Sequence, residues 1–247
     1  MKRAGLYILV VLTTLVLGLV AKLPATTIWQ AVEPRQTAGV AMRGVTGTLW
    51  RGEVAVLEMS GVTLEQVAWK VRPIALLRGR LQATWSTRFG EGHVTGAASI
   101  SPSGDLHLYR STGQIAASDL QRFFSLPVGP QGRISLDLEQ IELQLAPLYV
   151  HSARGEVHWQ GAGLVTPYAV NWGDLVARLG AHEGALRLEL GDQGGPLRLQ
   201  GQAAVLPQGV LQLDLAAAAA PGADEALRAG LAMLGRPDAQ GWVRLRF

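Results

Sequence analysis

Cysteine is absent from all 247 residues. No disulfide can staple this chain, and its absence also excludes thiolate metal sites and a cysteine nucleophile. Charged residues make up only 17% and aromatic residues 6%. The formal charge is +3, spread unevenly: residues 22–110 carry ten basic and six acidic side chains, residues 111–247 ten and thirteen. That balance lacks the dense basic stripe of a nucleic-acid binder. Catalytic signatures are missing as well. There is no GxSxG for a nucleophile elbow and no GxxxxGK[ST] for a P-loop. Gly44-Val45-Thr46-Gly47 has no helix after it on which to seat a phosphate.

The remaining titratable groups form no constellation. His93, His107, His151, His158 and His182 are scattered singly, without an i, i+4 pair or an HxH. Asp137, Glu139 and Glu142 lie close together, with Asp137 and Glu139 on the polar face of an alternating segment, the pattern of a solvated strand. Lys70, Arg72, Arg78 and Arg80 cluster in one stretch. They suit either anionic lipid headgroups or, more simply, a basic solvated edge that discourages sheet–sheet aggregation. No catalytic, cofactor-binding or metal-ligating residue is assigned, and the expectation is a protein that is not an enzyme.

What is present begins at the N-terminus. After Met1-Lys2-Arg3 come eighteen residues, Ala4 to Ala21, without a charge. As a helix this run spans roughly 27 Å, close to the hydrocarbon thickness of a bilayer. A cleavable signal peptide has a shorter apolar stretch and small residues before its cut. Here Leu19-Val20-Ala21 and Leu23-Pro24-Ala25 place leucine where a small residue is wanted, which favours an uncleaved anchor. Lys2, Arg3 and the amino terminus outweigh Lys22 on the far side, so the N-terminus is expected in the cytoplasm. Residues 1–22 would be cytoplasmic tip and transmembrane helix, and residues 23–247 a periplasmic domain of a single-pass inner-membrane protein.

Past Pro24 the apolar period becomes two. Val54–Met59 and Val62–Val71 read as strands meeting near Ser60-Gly61, followed by Leu81–Ser86, Gly92–Ile100 and Leu106–Tyr109. Ile134, Leu136 and Leu138 occupy one parity and Ile141, Leu143 and Leu145 the other, the mark of a β-bulge inside one strand. Gly155–Trp159, Ala185–Leu190, Pro196–Ala204, Val210–Leu215 and Trp242–Phe247 continue the list, and thirty glycines supply the turns. Short helices are expected at Pro73–Arg78, from the Ser118-Asp119-Leu120-Gln121 capping box through Phe124, at Asp224–Leu234, and more weakly at Asn171–Leu179. The fold class is mainly β: a long, bent antiparallel sheet, an open groove or half-barrel, with a few short helices, without a visible domain boundary.

Three stretches carry a resemblance. Gly44-Val45-Thr46-Gly47-Thr48-Leu49-Trp50-Arg51-Gly52, close behind a membrane anchor, resembles the V-x-G-T-L-W-x-G of the bacterial type II secretion system protein N family. Trp69-Lys70-Val71-Arg72-Pro73-Ile74-Ala75-Leu76-Leu77-Arg78-Gly79-Arg80-Leu81 is similar to that family's tryptophan strand and P-x-x-L-L-x-G-x-L corner. Leu234-Gly235-Arg236-Pro237-Asp238-Ala239-Gln240-Gly241 is similar to its L-G-R-P-D-A-x-G signature. Read as structure, Gly47 and Gly52 bracket a short strand with Trp50 as a core-sized side chain, while Gly235 caps a helix that Pro237 stops.

The resemblance implies a non-catalytic inner-membrane accessory of the secretion machine, placed beside other bitopic assembly-platform proteins. The corner followed by strands also resembles, at the level of fold, the AsmA-like and bridge-like lipid-transfer proteins. Two roles therefore stay open: a scaffold binding inner-membrane secretion proteins, or an apolar β-groove holding phospholipid. A scaffold packs its apolar sheet face internally, whereas a groove leaves that face open for a ligand.

Overall fold

Period-two alternation becomes thirteen antiparallel strands joined in strict chain order. The computed structural model describes residues 40–246 apart from 60–61, 77–78, 125–126, 146–147, 167 and 208. The expected anchor therefore lies outside the described residues. Among those described, no helix is long and apolar enough to cross a membrane.

The strands are β1 Val40–Gly47, β2 Arg51–Met59, β3 Val62–Val71, β4 Leu81–Phe89, β5 Gly92–Ile100, β6 Asp105–Ala116 and β7 Gly129–Leu145. After them come β8 Leu148–Thr166, β9 Val170–His182, β10 Ala185–Asp192, β11 Leu197–Val205, β12 Leu211–Ala219 and β13 Val243–Arg246. Each pairs only with its sequence neighbours, so the sheet is open, with β1 at one edge and β13 at the other. Three short helices interrupt it: α1 Pro73–Leu76, α2 Ala117–Phe124 and α3 Glu225–Leu234.

Three expectations are corrected. Asn171–Leu179 is not helical but the body of β9, paired with β8 from Asn171 and with β10 from Leu175 onward. Leu175, Ala177 and Leu179 alternate with Asp174, Val176 and Arg178, and Gly173, at φ +89°, sits where a helix would resist it. Trp50 is not in a strand: it lies half-buried in the β1–β2 turn, so Gly47 and Gly52 bracket a turn instead. Gly235 ends α3 in extended backbone at φ 168°, not in a left-handed cap.

The parity switch in β7 is a bulge at Glu139. Leu138 pairs with Gly155 and Gln140 with Arg154, leaving Glu139 without an opposite number on β8. Opposite it on β6 lies Arg110, in the left-handed region at φ +49°, where the register of β6 against β5 shifts while that against β7 is kept. The doubled bulge keeps Leu136, Leu138, Ile141 and Leu143 on one side of the sheet, where Ile141 is buried.

That side is apolar across many strands. One row of direct partners runs Leu136, Val157, Ala177, Leu190, Gly201, Leu215 and Leu245 from β7 to β13. At its far end the row is covered. Asp224 accepts the Leu227 N–H through its Oδ1 at 3.0 Å and opens α3, whose Leu227 and Leu231 pack on Leu197, Ala217 and Val243 as the tightest core of the molecule. Elsewhere its large side chains stay half-exposed, Leu136, Val157, Leu190 and Leu215 among them.

Candidate functional site

The family-like motifs are structural when followed atom by atom. Gly52 pairs with Trp69, and a Cβ on Gly52 would stand 2.4 Å from Trp69 Cζ2 and 2.7 Å from the Thr46 carbonyl oxygen. The glycine clears a seat for the indole, whose Nε1–H then donates to the Leu49 carbonyl at 3.0 Å. Trp69 therefore clasps the turn that contains Leu49 and Trp50, and the tip of β2 is locked to β3.

The C-terminal motif works on the same principle. Asp238 Oδ1 accepts the N–H groups of Gln240 and Trp242 at 3.0 and 2.9 Å, while the Asp238 N–H donates to the Trp242 carbonyl at 2.9 Å. Gly241 takes φ +82° to close this loop. Its result is to deliver Val243, 2% exposed, beneath α3. The Arg198 guanidinium lies 4.9 Å from the Trp242 ring centre, pinning the loop to β11.

Opposite the apolar side, a row of partners crosses all thirteen strands, polar everywhere but at Ala68 on β3. From β1 the row runs Thr46, Glu53, Ala68, Ser86, Thr95 and Thr112. From β7 it continues Asp137, Glu156, Arg178, Glu189, Gln202, Asp214 and Arg246. Its middle lines a cleft of about 1560 Å³ between β5 and β9, into which His93, Arg133, Asp137, Glu139, Arg154 and Glu156 contribute.

The titratable groups noted in the sequence are distributed along this side and pair locally. Glu156 accepts from Arg178 Nε and meets His158 Nε2, both at 3.0 Å, while His158 Nδ1 faces Gln193 at 3.4 Å. The Arg178 hydrogen bond holds the Glu156 carboxyl below its ordinary range, with His158 adding to it. A carboxyl held low is an ionised acceptor near neutral pH, not a proton donor. Glu139 faces Arg154 at 3.9 Å, and Glu142 faces His107 at 3.4 Å. His182 meets Glu183 at 3.7 Å, and the His151 ring lies 5.0 Å from Tyr149. Asp105 is also held low, first by the Ser103 hydroxyl and then by Ser101, which tightens the β5–β6 turn. Among the described residues no three His, Asp or Glu side chains are grouped to hold a metal ion. What this side can do is present a patterned charged surface, partly paired within the chain.

The edges offer a different chemistry. β13 covers only Asp214–Ala217 of β12, so Leu211, Gln212 and Leu213 have a partner on the β11 side and none on the other among the described residues. Val210 and Leu211 beside this step are 52% and 60% exposed. Open backbone groups of this kind accept a strand from another chain. Which strand ends uncovered depends on pairing across the whole sheet, so no single segment of the sequence marks this step.

Comparison with known proteins agrees with the motifs. The family model described as type II secretion system (T2SS), protein N matches residues 38–246. A type II secretion system protein N from Vibrio cholerae serotype O1 is 27% identical over 251 residues, covering 98% of this chain and 96% of that protein. One from Aeromonas hydrophila is 30% identical over 242 residues, covering 93% and 91%. No solved structure matches significantly. Anchored on the Gly52–Trp69 clasp and the Asp238 loop, and matched along nearly its whole length, the chain belongs to the type II secretion system protein N family.

Proposed function

We propose that this chain is a non-catalytic, inner-membrane accessory component of the type II secretion system, the machine that moves folded proteins from the periplasm across the outer membrane. Ala4–Ala21 anchors it with the N-terminus in the cytoplasm, and residues 23–247 stand in the periplasm. It works by protein–protein contacts of its sheet with other inner-membrane components of the assembly platform. The observation that supports this reading is the open sheet itself. An unclosed meander with an uncovered step at Leu211–Leu213 among the described residues can extend by a further strand. The test is deletion of the gene in its host with complementation by the intact chain. A fall in extracellular hydrolases, restored by complementation, is the expected result; normal secretion under every condition would contradict it.

A second reading has one observation in its favour. Leu136 and Leu190 of the apolar side remain half-buried away from the region where α3 packs, as a groove holding acyl chains would require. Native mass spectrometry of the detergent-purified chain separates the two. Stoichiometric co-purifying phospholipid would favour the groove.

A further inference from the structure

The corner between β3 and β4 turns apolar side chains outward. α1 buries none of its residues: Ile74 is 74% exposed and Leu76 43%, and Leu81 at the start of β4 is 42% exposed. A single exposed leucine is ordinary, but three large apolar side chains within eight residues at one tip are a patch. Lys70, Arg72 and Arg80 bracket the tip in sequence, all exposed, and none forms an ion pair among the described residues. Arg43, Arg178 and Arg246, by contrast, each meet a carboxylate. Among the described residues, Lys70, Arg72 and Arg80 keep their charge free for an outside anion.

We propose that this corner is a second, peripheral contact with the membrane. Ile74, Leu76 and Leu81 enter the interfacial region of an anionic phospholipid leaflet, while Lys70, Arg72 and Arg80 reach the headgroup phosphates. Long basic side chains suit that task, because their stems lie along apolar surface while the charge stays in the polar layer. Size argues for lipid over protein. Three side chains at a turn offer far less than the roughly 800 Å² per partner of a standard protein interface.

Reach is sufficient. Between Ala21 and Val40 lie eighteen residues, which span up to roughly 60 Å when extended. β1 itself, eight residues long, covers only about 26 Å. A chain held in the bilayer by its N-terminus can therefore bring the far end of β1, and the neighbouring corner, back to the lipid surface. The anchor reading determines which membrane the corner meets, not whether it binds one.

The lack of cysteine makes the test direct, since one introduced thiol carries one label. The full-length chain bearing Ile74→Cys, Met233→Cys on α3 or Leu12→Cys is labelled with a fluorophore. Each is incubated with vesicles of phosphatidylcholine alone or mixed with phosphatidylglycerol, carrying bromine on the acyl chains as quencher. The Ile74 label is expected to be quenched only when phosphatidylglycerol is present, and the exposed Met233 position not at all. Combining Lys70→Glu, Arg72→Glu and Arg80→Glu should abolish that quenching, since each basic side chain near an anionic surface is worth about fivefold in partitioning. No quenching at Ile74 in anionic vesicles overturns the proposal. Quenching that ignores both lipid charge and charge reversal overturns anionic recognition. Protection of Ile74 only when other secretion proteins are added would assign the corner to a protein instead. The Leu12 label reports the anchor separately, so either claim can fail alone.

Discussion

A hydrogen in place of a methyl decides the fate of the β1–β2 turn. Gly52 is needed not for its backbone angles but because the Trp69 indole occupies the space of a side chain there. Gly52→Ala must displace either a rigid ring or the Thr46 carbonyl, and overpacking of that kind costs about 1–3 kcal/mol. Chemical denaturation should show the loss as a lower midpoint, with Trp69→Phe losing about 1 kcal/mol through the hydrogen bond to Leu49. An unchanged midpoint in Gly52→Ala would mean the ring does not sit where described. At the same scale, Glu156 titrates below its ordinary value of 4.5 because Arg178 and His158 stabilise its charged form. A folded-state pKa lowered in this way adds stability above the unfolded value and loses it as pH falls below about 4.5 through the folded one. An NMR titration should find the Glu156 midpoint below 4.5, and Arg178→Ala should move it upward. A midpoint unmoved by that substitution would remove Arg178 as the cause.

Among the elements, alternation made the strands legible and its interruptions hid their lengths. Val54–Met59 and Ala185–Leu190 alternate cleanly, and both are strands with nearly those limits. β8 runs from Leu148 to Thr166, yet only Gly155–Trp159 stood out, because register shifts around Ala162 and opposite Glu139 reset its parity. β9 was read in part as a helix for a similar reason. A segment rich in leucine, alanine and arginine has helical propensity, and only pairing on both sides overrides it. The α3 region was legible throughout, since Asp224, Leu227 and Leu231 announce cap and packing face in sequence. What sequence could not show was the destination of that face, the Val243 seat made by the Asp238 loop. Leu231→Ala should cost about 2–5 kcal/mol. Asp238→Ala, which leaves two backbone N–H groups without their acceptor, should cost about 1–3 kcal/mol. Thermal unfolding of both variants checks the pair. An Asp238→Ala chain as stable as the parent would detach the motif from the core.

Across the described residues, neighbour-only pairing gives an open sheet with an apolar side, a charged side and β1 and β13 at its edges. No single residue of the sequence specifies such an object; it follows from twelve registers taken together. Part of the charged side is paired within the chain, the edges leave backbone groups open among the described residues, and membership in the type II secretion system protein N family gives binding there a context. The central claim is that this sheet meets other secretion proteins outside the inner membrane. It is tested most directly by photocrosslinking in living cells from two exposed edge positions, Ala41 on β1 and Gln212 at the uncovered step of β12. The account predicts crosslinks from at least one of them to an inner-membrane component of the secretion apparatus, absent when the reactive residue replaces Arg133 on the charged side. Crosslinks to no secretion component from either edge, in cells that are actively secreting, would contradict it.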